Sequence, residues 1–534
     1  MRRQILPSRL DSKSDHYQQN RASVLQQLDE LSTLLEAARA GGGEKFVTRD
    51  HQRGKLLVRE RIERLVDRDS PFLELSPVAA AGTEYEVGAS TTVGIGVVSG
   101  VECYISGNDP TVRGGAVNPY TMRKSMRGYD ICLQNRLPYI PRTGLGGAEL
   151  PWQSAIFLAG GGSFRNLARL SAAGIPTISL VFGNSTAGGA YTPAMCDYTV
   201  FVKQRAKVFL GGPPLVKMAT GEESDDEELG GAEMHSRVSG LSDYLAADEL
   251  DALRIGREIV ANLNWKKLGP VPDADVEEPR YDPEDLLGLA PSDLKIPVDM
   301  REIIARLVDG SRFAEFKPAY GVNLITGWAS LHGYPIGILA NQQGVLFSAE
   351  AQKATQFIQL ANQRDVPLLF VQNVTGYMVG KKYEQGGIIK HGAQMINAVS
   401  NSKVPHLTLQ IGGSYGAGNY GMCGYAYKPR FLFIWPNSKT AVMGPQQLAG
   451  VLSIVRRASA KATGKPFDEK QGAMMRQAVE DQIESESLAT FTSGQVFDDG
   501  IIDPRDSRTV LGIALSAVHS AEVKGTESYG VFRM

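Results

Sequence analysis

The landmarks of the first half of this chain return, in the same order, in the second. Arg61-Ile62-Glu63-Arg64-Leu65-Val66-Asp67, followed by Phe72-Leu73-Glu74, recurs as Ile303-Ile304-Ala305-Arg306-Leu307-Val308-Asp309, followed by Phe313-Ala314-Glu315. Asp67 thus falls on Asp309, and Glu74 on Glu315. Gly94, Gly100 and Asn108 return as Gly327, Gly333 and Asn341, all three at one common offset that is shorter than that of the acids. Val208-Phe209-Leu210-Gly211 returns as Ala441-Val442-Met443-Gly444 at the same offset as these glycines. Ordered recurrence with a drifting offset marks a whole domain duplicated in tandem. A chain of 534 residues also exceeds what one hydrophobic core holds together.

Inside each half, short apolar runs alternate with helical stretches, which predicts α/β units with mostly parallel sheets. Glu102 to Ser106, Leu137 to Ile140 and Pro176 to Phe182 read as strands, with helices over 119–136 and 163–173. The second half gives strands over 335–340, 366–371 and 404–411, with helices over 348–363 and 389–399. Residues 1–15 read as a polar arm. Val24, Leu25, Leu28, Leu31, Leu34 and Leu35 follow as a one-sided packing helix, stopped at Gly41-Gly42-Gly43. The Pro- and acid-rich stretch from Gly269 to Glu284 reads as the seam. The expected division is 1–45 for the arm and helix, 46–285 for the N-terminal domain and 286–534 for the C-terminal domain.

Each half carries a strand that runs into small residues. Pro176 to Phe182 leads into Gly183-Asn184-Ser185-Thr186-Ala187-Gly188-Gly189-Ala190-Tyr191, and Val404 to Ile411 leads into Gly412-Gly413-Ser414-Tyr415-Gly416-Ala417-Gly418-Asn419-Tyr420. By residue identity, Ala187-Gly188 falls on Ala417-Gly418. Small residues after a strand let backbone N–H groups approach a ligand closely, so two anion-binding loops are expected. One such loop alone would read as a tight turn.

Composition narrows the classes. A net charge of −2 gives no electrostatic footprint for nucleic acid. Cys103, Cys132, Cys196 and Cys423 are scattered without CxxC spacing, which argues against a zinc knuckle or disulfide scaffold. No apolar run reaches membrane-spanning length, and the N-terminus lacks a secretory apolar core. The expectation is a cytoplasmic protein, or a mitochondrial-matrix one in a eukaryote. The acidic run from Glu222 to Glu228 lacks spaced ligands and reads as a solvated loop rather than a metal site. His235 and His391 read as structural or rim residues, and Cys196 and Cys423 as core filler.

With Gly211-Gly212-Pro213-Pro214-Leu215-Val216-Lys217, Glu228-Leu229-Gly230-Gly231-Ala232-Glu233-Met234-His235 and Trp435-Pro436-Asn437, the chain resembles the carboxyltransferase β subunits of biotin-dependent acyl-CoA carboxylases over roughly residues 20–530. Asn373 to Gly380 and Asn419 to Gly424 resemble the methylcrotonyl-CoA and geranyl-CoA branch. The resemblance implies two tandem crotonase-like (ClpP/crotonase) spiral domains. It implies a hexamer with sites shared between subunits, and a partner α subunit carrying biotin carboxylase and the biotin carboxyl carrier. The chain has no Ala-Met-Lys-Met biotin-attachment motif and no Walker-type loop, so carboxybiotin is expected to arrive in trans, with a CoA thioester as substrate and no metal.

By the same resemblance, Gly188 and Gly189 form the thioester oxyanion hole, and Ala417 and Gly418 the biotin-side hole. Arg113, Gly114, Gly115, Gly146 and Gly147 fall in the CoA-binding stretches, and Asn373, Gly376 and Tyr420 around the biotin-side loop. Arg113, with Arg123 and Lys124 on the following helix, is a candidate for the CoA phosphates, a solvated basic face being the alternative for the last two. The chain departs from the family pattern at Gly144-Leu145, where an acid and a Ser are usual, and at Gly160-Gly161-Gly162, where the family is charged. These changes are expected to open space for a branched or extended acyl group. Alternatives are an acetyl-, propionyl- or longer-chain acyl-CoA carboxylase subunit, a hydratase, a decarboxylase-type subunit of the same fold, and a non-catalytic scaffold.

Overall fold

Strands from residue 72 to 246 form one mixed sheet, and strands from residue 312 to 501 form a second, which Gln4–Ile5 joins at its edge, except that Val345–Leu346 and Gly376–Tyr377 pair in a small sheet of their own. The computed structural model describes residues 4–145, 147, 149–293, 296–463 and 469–534. Each sheet opens with an antiparallel meander, Phe72–Glu74, Thr91–Val98 and Val101–Asn108 in one and Arg312–Glu315, Leu324–Leu331 and Tyr334–Asn341 in the other. Parallel strands follow, joined by helical crossovers.

The long fifth strand of each half, Ile178–Thr186 or His406–Tyr415, does two jobs. Its first part pairs with Tyr198–Val202 or Phe431–Ile434, and its last three residues pair with Lys207–Phe209 or Lys439–Ala441. The strand therefore passes from one layer into another, which makes each half a spiral. Both strands run further than the sequence pattern predicts, through Gly183 and through Gly412-Gly413. At Gly412 the missing Cβ is the reason: one would lie 2.6 Å from Asn373 Oδ1.

The duplicated landmarks have one physical meaning in both halves. Asp67 accepts the N–H groups of Ser99 and Gly100, both at 2.7 Å, and Asp309 accepts those of His332 and Gly333 at 2.9 and 2.8 Å. Arg59 pairs with Glu74 as Arg301 pairs with Glu315.

The helix Asp15–Ala40 ends at Gly41, whose φ is +55°. The preceding residues are less free than a polar arm: Gln4–Ile5 pairs with Arg312 and Phe313, and Ser8 and Arg9 bond to Glu302. They cover an otherwise open sheet edge. The second difference is the helix Gln153–Ala172, which begins well before the predicted Ser163. Gly160 and Gly162 lie inside it, facing Met122 and Met126 at 3.4 and 3.3 Å from where a Cβ would stand. Close helix–helix approach accounts for Gly160 and Gly162, which were expected to open space for the acyl group.

The halves share a core. Ile131, Leu137 and Leu170 from the first pack in one cluster with Leu407, Phe431 and Leu511 from the second. At the junction Arg127 makes a bidentate pair with buried Asp499, both contacts at 2.7 Å.

Candidate active site

Both long strands end in the same backbone turn. Thr186 is extended (φ −111°, ψ 149°) and Ala187 takes a left-handed φ of +55°. Tyr415 is extended (φ −117°, ψ 142°) and Gly416 takes φ +53°. Equivalence by conformation thus places Ala187 on Gly416, Gly188 on Ala417 and Gly189 on Gly418. This register is one position shorter than the one read from residue identity, and corrects it. After the turn, Ala187–Ala190 and Gly416–Gly421 begin short helical segments. Gly188 and Gly189, like Ala417 and Gly418, are the second and third residues of these segments. First-turn amides have no partner within a helix, so each half presents two adjacent N–H groups at the end of a buried strand. Gly188 and Ala417 are exposed, Gly189 is half-buried and Gly418 is buried.

Gly418 is fixed by close approach: a Cβ there would come within 2.6 Å of Val374 Cγ2 and 3.0 Å of Gly376 Cα. Gly376 itself has φ +134°, so two glycines meet behind the C-half loop. Asn373 is only 5% exposed, and its Oδ1 accepts the Gly413 N–H at 3.0 Å. It holds the strand under the loop, and its carboxamide oxygen is already engaged. Tyr420 is exposed beside Tyr427, with ring centroids 5.7 Å apart.

The stretch after the Val101–Asn108 strand is built on three consecutive left-handed residues, Arg113, Gly114 and Gly115, at φ +46°, +69° and +72°. A Cβ on Gly115 would sit 3.0 Å from Gly144 O, so this loop and the next strand end lie side by side. Gly147 (φ +91°) accepts the Val117 N–H at 2.9 Å; Gly146 lies outside the described residues. Among the cations proposed for CoA phosphates, the structure changes the picture. Arg113 donates to Glu86 and Glu149, both at 3.1 Å, and Arg123 donates to Gln495. Lys124 is buried, with its ammonium donating to Thr91 O at 2.7 Å and Gly88 O at 3.2 Å, and burial pushes it down to about 8. Its counterpart Lys353, in the register that the two turns define, donates to Leu324 O at 2.7 Å and Gly321 O at 3.3 Å. These lysines clamp hairpin loops and cannot reach a phosphate.

His235 is structural: its ring nitrogens meet Val208 O and Ser239 Oγ, each at 2.7 Å. Cys423 does have an imidazole beside it, His406 Nδ1 at 3.3 Å, which the sequence did not signal. Burial pushes the thiol up to about 12 and the imidazole down to about 3, so the pair is neutral and carries no thiolate. Among the described residues no group of three or more His, Cys, Asp or Glu converges on a metal geometry. The acidic run caps itself instead, Asp225 accepting from Glu227 and Glu228 N–H at 2.8 Å, while Asp226 pairs with Lys207. No helix among the described residues is long and apolar enough to cross a membrane.

Sequence reasoning also missed Lys439. It stands on the strand beside the C-half loop and pairs with Glu484. With Thr375 and Tyr415 it lines a cavity of about 660 Å3. The signal was there: Lys207 occupies the same strand position in the first half.

Comparison with known proteins gives matches along nearly the whole chain. Residues 49–529 match the carboxyl transferase domain family. The chain is 64% identical over 530 residues to a probable biotin-dependent acyl-coenzyme A carboxylase beta2 subunit of Mycobacterium tuberculosis, covering 99% of this chain and 100% of that one. It is 48% identical over 515 residues to the same organism's biotin-dependent 3-methylcrotonyl-coenzyme A carboxylase beta1 subunit, covering 95% and 96%. The crystal structure of the P. aeruginosa geranyl-CoA carboxylase beta subunit superposes with a TM-score of 0.89 at 42% identity, covering 99% and 100%. The chain belongs to the carboxyl transferase domain family.

Proposed function

We propose that this chain is the carboxyltransferase subunit of a biotin-dependent acyl-CoA carboxylase acting on a branched or unsaturated acyl-CoA. The observation that carries the reading is the paired turn: two homologous strand ends, each presenting two first-turn amides. Carboxyl transfer to an acyl thioester develops negative charge at two oxygens, and fixed amides stabilise such charge without reorganising. Gly188 and Gly189 N–H groups meet the thioester oxygen as the acyl chain loses a proton, from the vinylogous γ carbon of an unsaturated chain or the α carbon of a saturated one. The proton goes to the ureido anion left when carbon dioxide departs, and the resulting carbanion takes up that carbon dioxide. Ala417 and Gly418 N–H groups hold the ureido oxygen on the other side. Carboxybiotin, supplied by a partner subunit, brings the activated carboxyl group. The close-packed Gly418 and Gly376 leave the C-half loop no side chain that would block such a ring.

Relatives that carry 3-methylcrotonyl-CoA and geranyl-CoA in their names support the branched or unsaturated class; Gly160 and Gly162 do not add to it, because Met122 and Met126 fill the space beside them. Tyr420, exposed at the biotin-side loop, narrows the acyl pocket in this reading. The chain works as an oligomer, a hexamer by family resemblance, in which the N-half of one subunit faces the C-half of another. The test is fixation of labelled bicarbonate by the chain with its biotinylated partner, across 3-methylcrotonyl-, geranyl-, propionyl- and acetyl-CoA. Turnover highest with one of the first two is expected. A tenfold preference for acetyl- or propionyl-CoA overturns the substrate class, and no turnover with any of the four overturns the function.

A further inference from the structure

The Arg113–Gly115 loop does not close on itself. It forms one wall of a cavity of about 420 Å3, and the other wall comes from residues 41–49, which begin at the glycines that stop the long helix. The two walls are locked together. Gly42 N–H donates to Thr111 Oγ1 at 3.0 Å, and a Cβ on Gly42 would lie 1.8 Å from Thr111 O. Gly41 and Gly42 therefore do more than end the long helix: they allow the following helix, Glu44–Gln52, to stand directly over the loop.

That helix places Phe46 and Arg49 on the cavity, one turn apart. Phe46 is an exposed aromatic, 37% accessible, with the Arg49 guanidinium over its ring at 4.9 Å. Among the described residues Arg49 has one ion pair, with Asp50 at 3.4 Å, and it stays substantially exposed. The other guanidinium on the cavity, Arg113, is held at 3.1 Å by both Glu86 and Glu149 and has little left to offer an anion. The same contact with Arg113 neutralises Glu86, the carboxylate that lines this cavity.

An aromatic face, an underused guanidinium and a glycine-rich backbone wall suit a purine carrying a phosphate. We infer that Phe46 and Arg49 form the adenosine end of the CoA site, Phe46 stacking on the adenine and Arg49 meeting the ribose 3′-phosphate. This rests on the reading of the chain as an acyl-CoA carboxyltransferase. It assigns to the Glu44–Gln52 helix the phosphate contact that Arg113 and Lys124 are not free to make.

The test uses the full chain with its biotinylated partner as carboxyl donor. Phe46→Ala should raise KM for acyl-CoA roughly tenfold, the scale of one lost base-stacking contact, with kcat and KM for the biotinylated partner within twofold of wild type. Phe46→Trp should retain wild-type KM. Arg49→Gln should erase the preference for acyl-CoA over the acyl thioester of 3′-dephospho-CoA. An unchanged KM in Phe46→Ala, or an equal rise in KM for the biotinylated partner, overturns the stacking role. A retained preference in Arg49→Gln places the 3′-phosphate elsewhere and overturns that half. Calorimetry with CoA itself decides the inference even if no acyl-CoA is carboxylated. Tenfold weaker binding by Phe46→Ala upholds the site, and unchanged binding removes it.

Discussion

Ala187 is the residue on which the two halves differ most tellingly. Its φ of +55° matches Gly416, but it carries a Cβ where its counterpart has none. A left-handed L-residue costs about 1 kcal/mol, so Ala187→Gly should raise the urea midpoint by an equivalent amount while leaving carboxyl transfer within twofold. The reverse change, Gly416→Ala, should cost more, because its Cβ would also meet Val442 O at 3.0 Å. The existence of the two loops was legible from clustered glycines. Their register was not, because backbone conformation is what repeats, and residue identity at 187 and 416 does not follow it. Asp498 offers a pH test at the same scale. It is buried, accepts from Ser493 Oγ at 2.7 Å, and burial pushes its carboxyl up to about 7. A folded pKa above the unfolded one means the unfolded chain loses its proton first. Stability from this group is then present below the unfolded value near 4 and lost as pH rises towards 7. Asp498→Asn should match wild type near pH 4 and be more stable at pH 8 by up to about 4 kcal/mol. A constant difference across that range in denaturant unfolding would refute it.

Among the elements, strands and helices were legible where apolar periodicity and caps agree. Asn118 caps the Pro119–Asn135 helix by accepting from Tyr120 and Thr121 N–H, and Pro119 opens it, as its sequence predicts. The Gln153–Ala172 helix was expected only from Ser163, because three consecutive glycines have little helix propensity and were read as opening space, and the neighbouring methionines show why Gly160 and Gly162 are tolerated. Nothing lies within 4 Å of a Cβ placed on Gly161. Gly161→Ala should therefore gain helix propensity without a clash, stabilising the chain by up to about 1 kcal/mol. Gly162→Ala, facing Met126 Sδ at 3.3 Å, should gain less. Comparing the two melting midpoints checks the assignment, and a larger gain at Gly162 would contradict the packing described. The buried clamps were misread in a similar way: Lys124 was a candidate for the CoA phosphates and Lys353 was not singled out. A lysine on a helix reads as solvated, and only the duplication, which puts both at one position, marks them as structural.

The whole molecule leaves apolar surface that a lone subunit does not cover. Among the described residues, only Ala449 is buried in the helix Pro445–Ala462, and only Ser487 in Glu469–Ser487. Val451, Ile454, Val455 and Met474 stand exposed on this pair. In the other half Phe157 and Leu158 are 74% and 83% exposed on the glycine-bearing helix. Both apolar surfaces flank the loops: Phe164 of that helix would lie 3.5 Å from a Cβ on Gly188, and Met443 to Gln447 line the cavity beside Tyr415. Large exposed apolar patches mark interfaces, and the proposed assembly, with the N-half of one subunit facing the C-half of another, gives both patches a partner. Mixed assemblies of two variants test that pairing. Gly418→Val would drive its side chain into Val374 and Gly376 and displace the biotin-side amides. Gly189→Val would obstruct the thioester side. Each variant alone should lose about 10²-fold or more in kcat, the scale of a lost oxyanion donor. A random mixture of the two, unfolded and reassembled together, should recover part of the activity. Sites that pair the intact N-half of one variant with the intact C-half of the other carry both loops. Mixed assemblies that form, by mass, yet stay as inactive as either parent would mean that both loops of a site come from one chain.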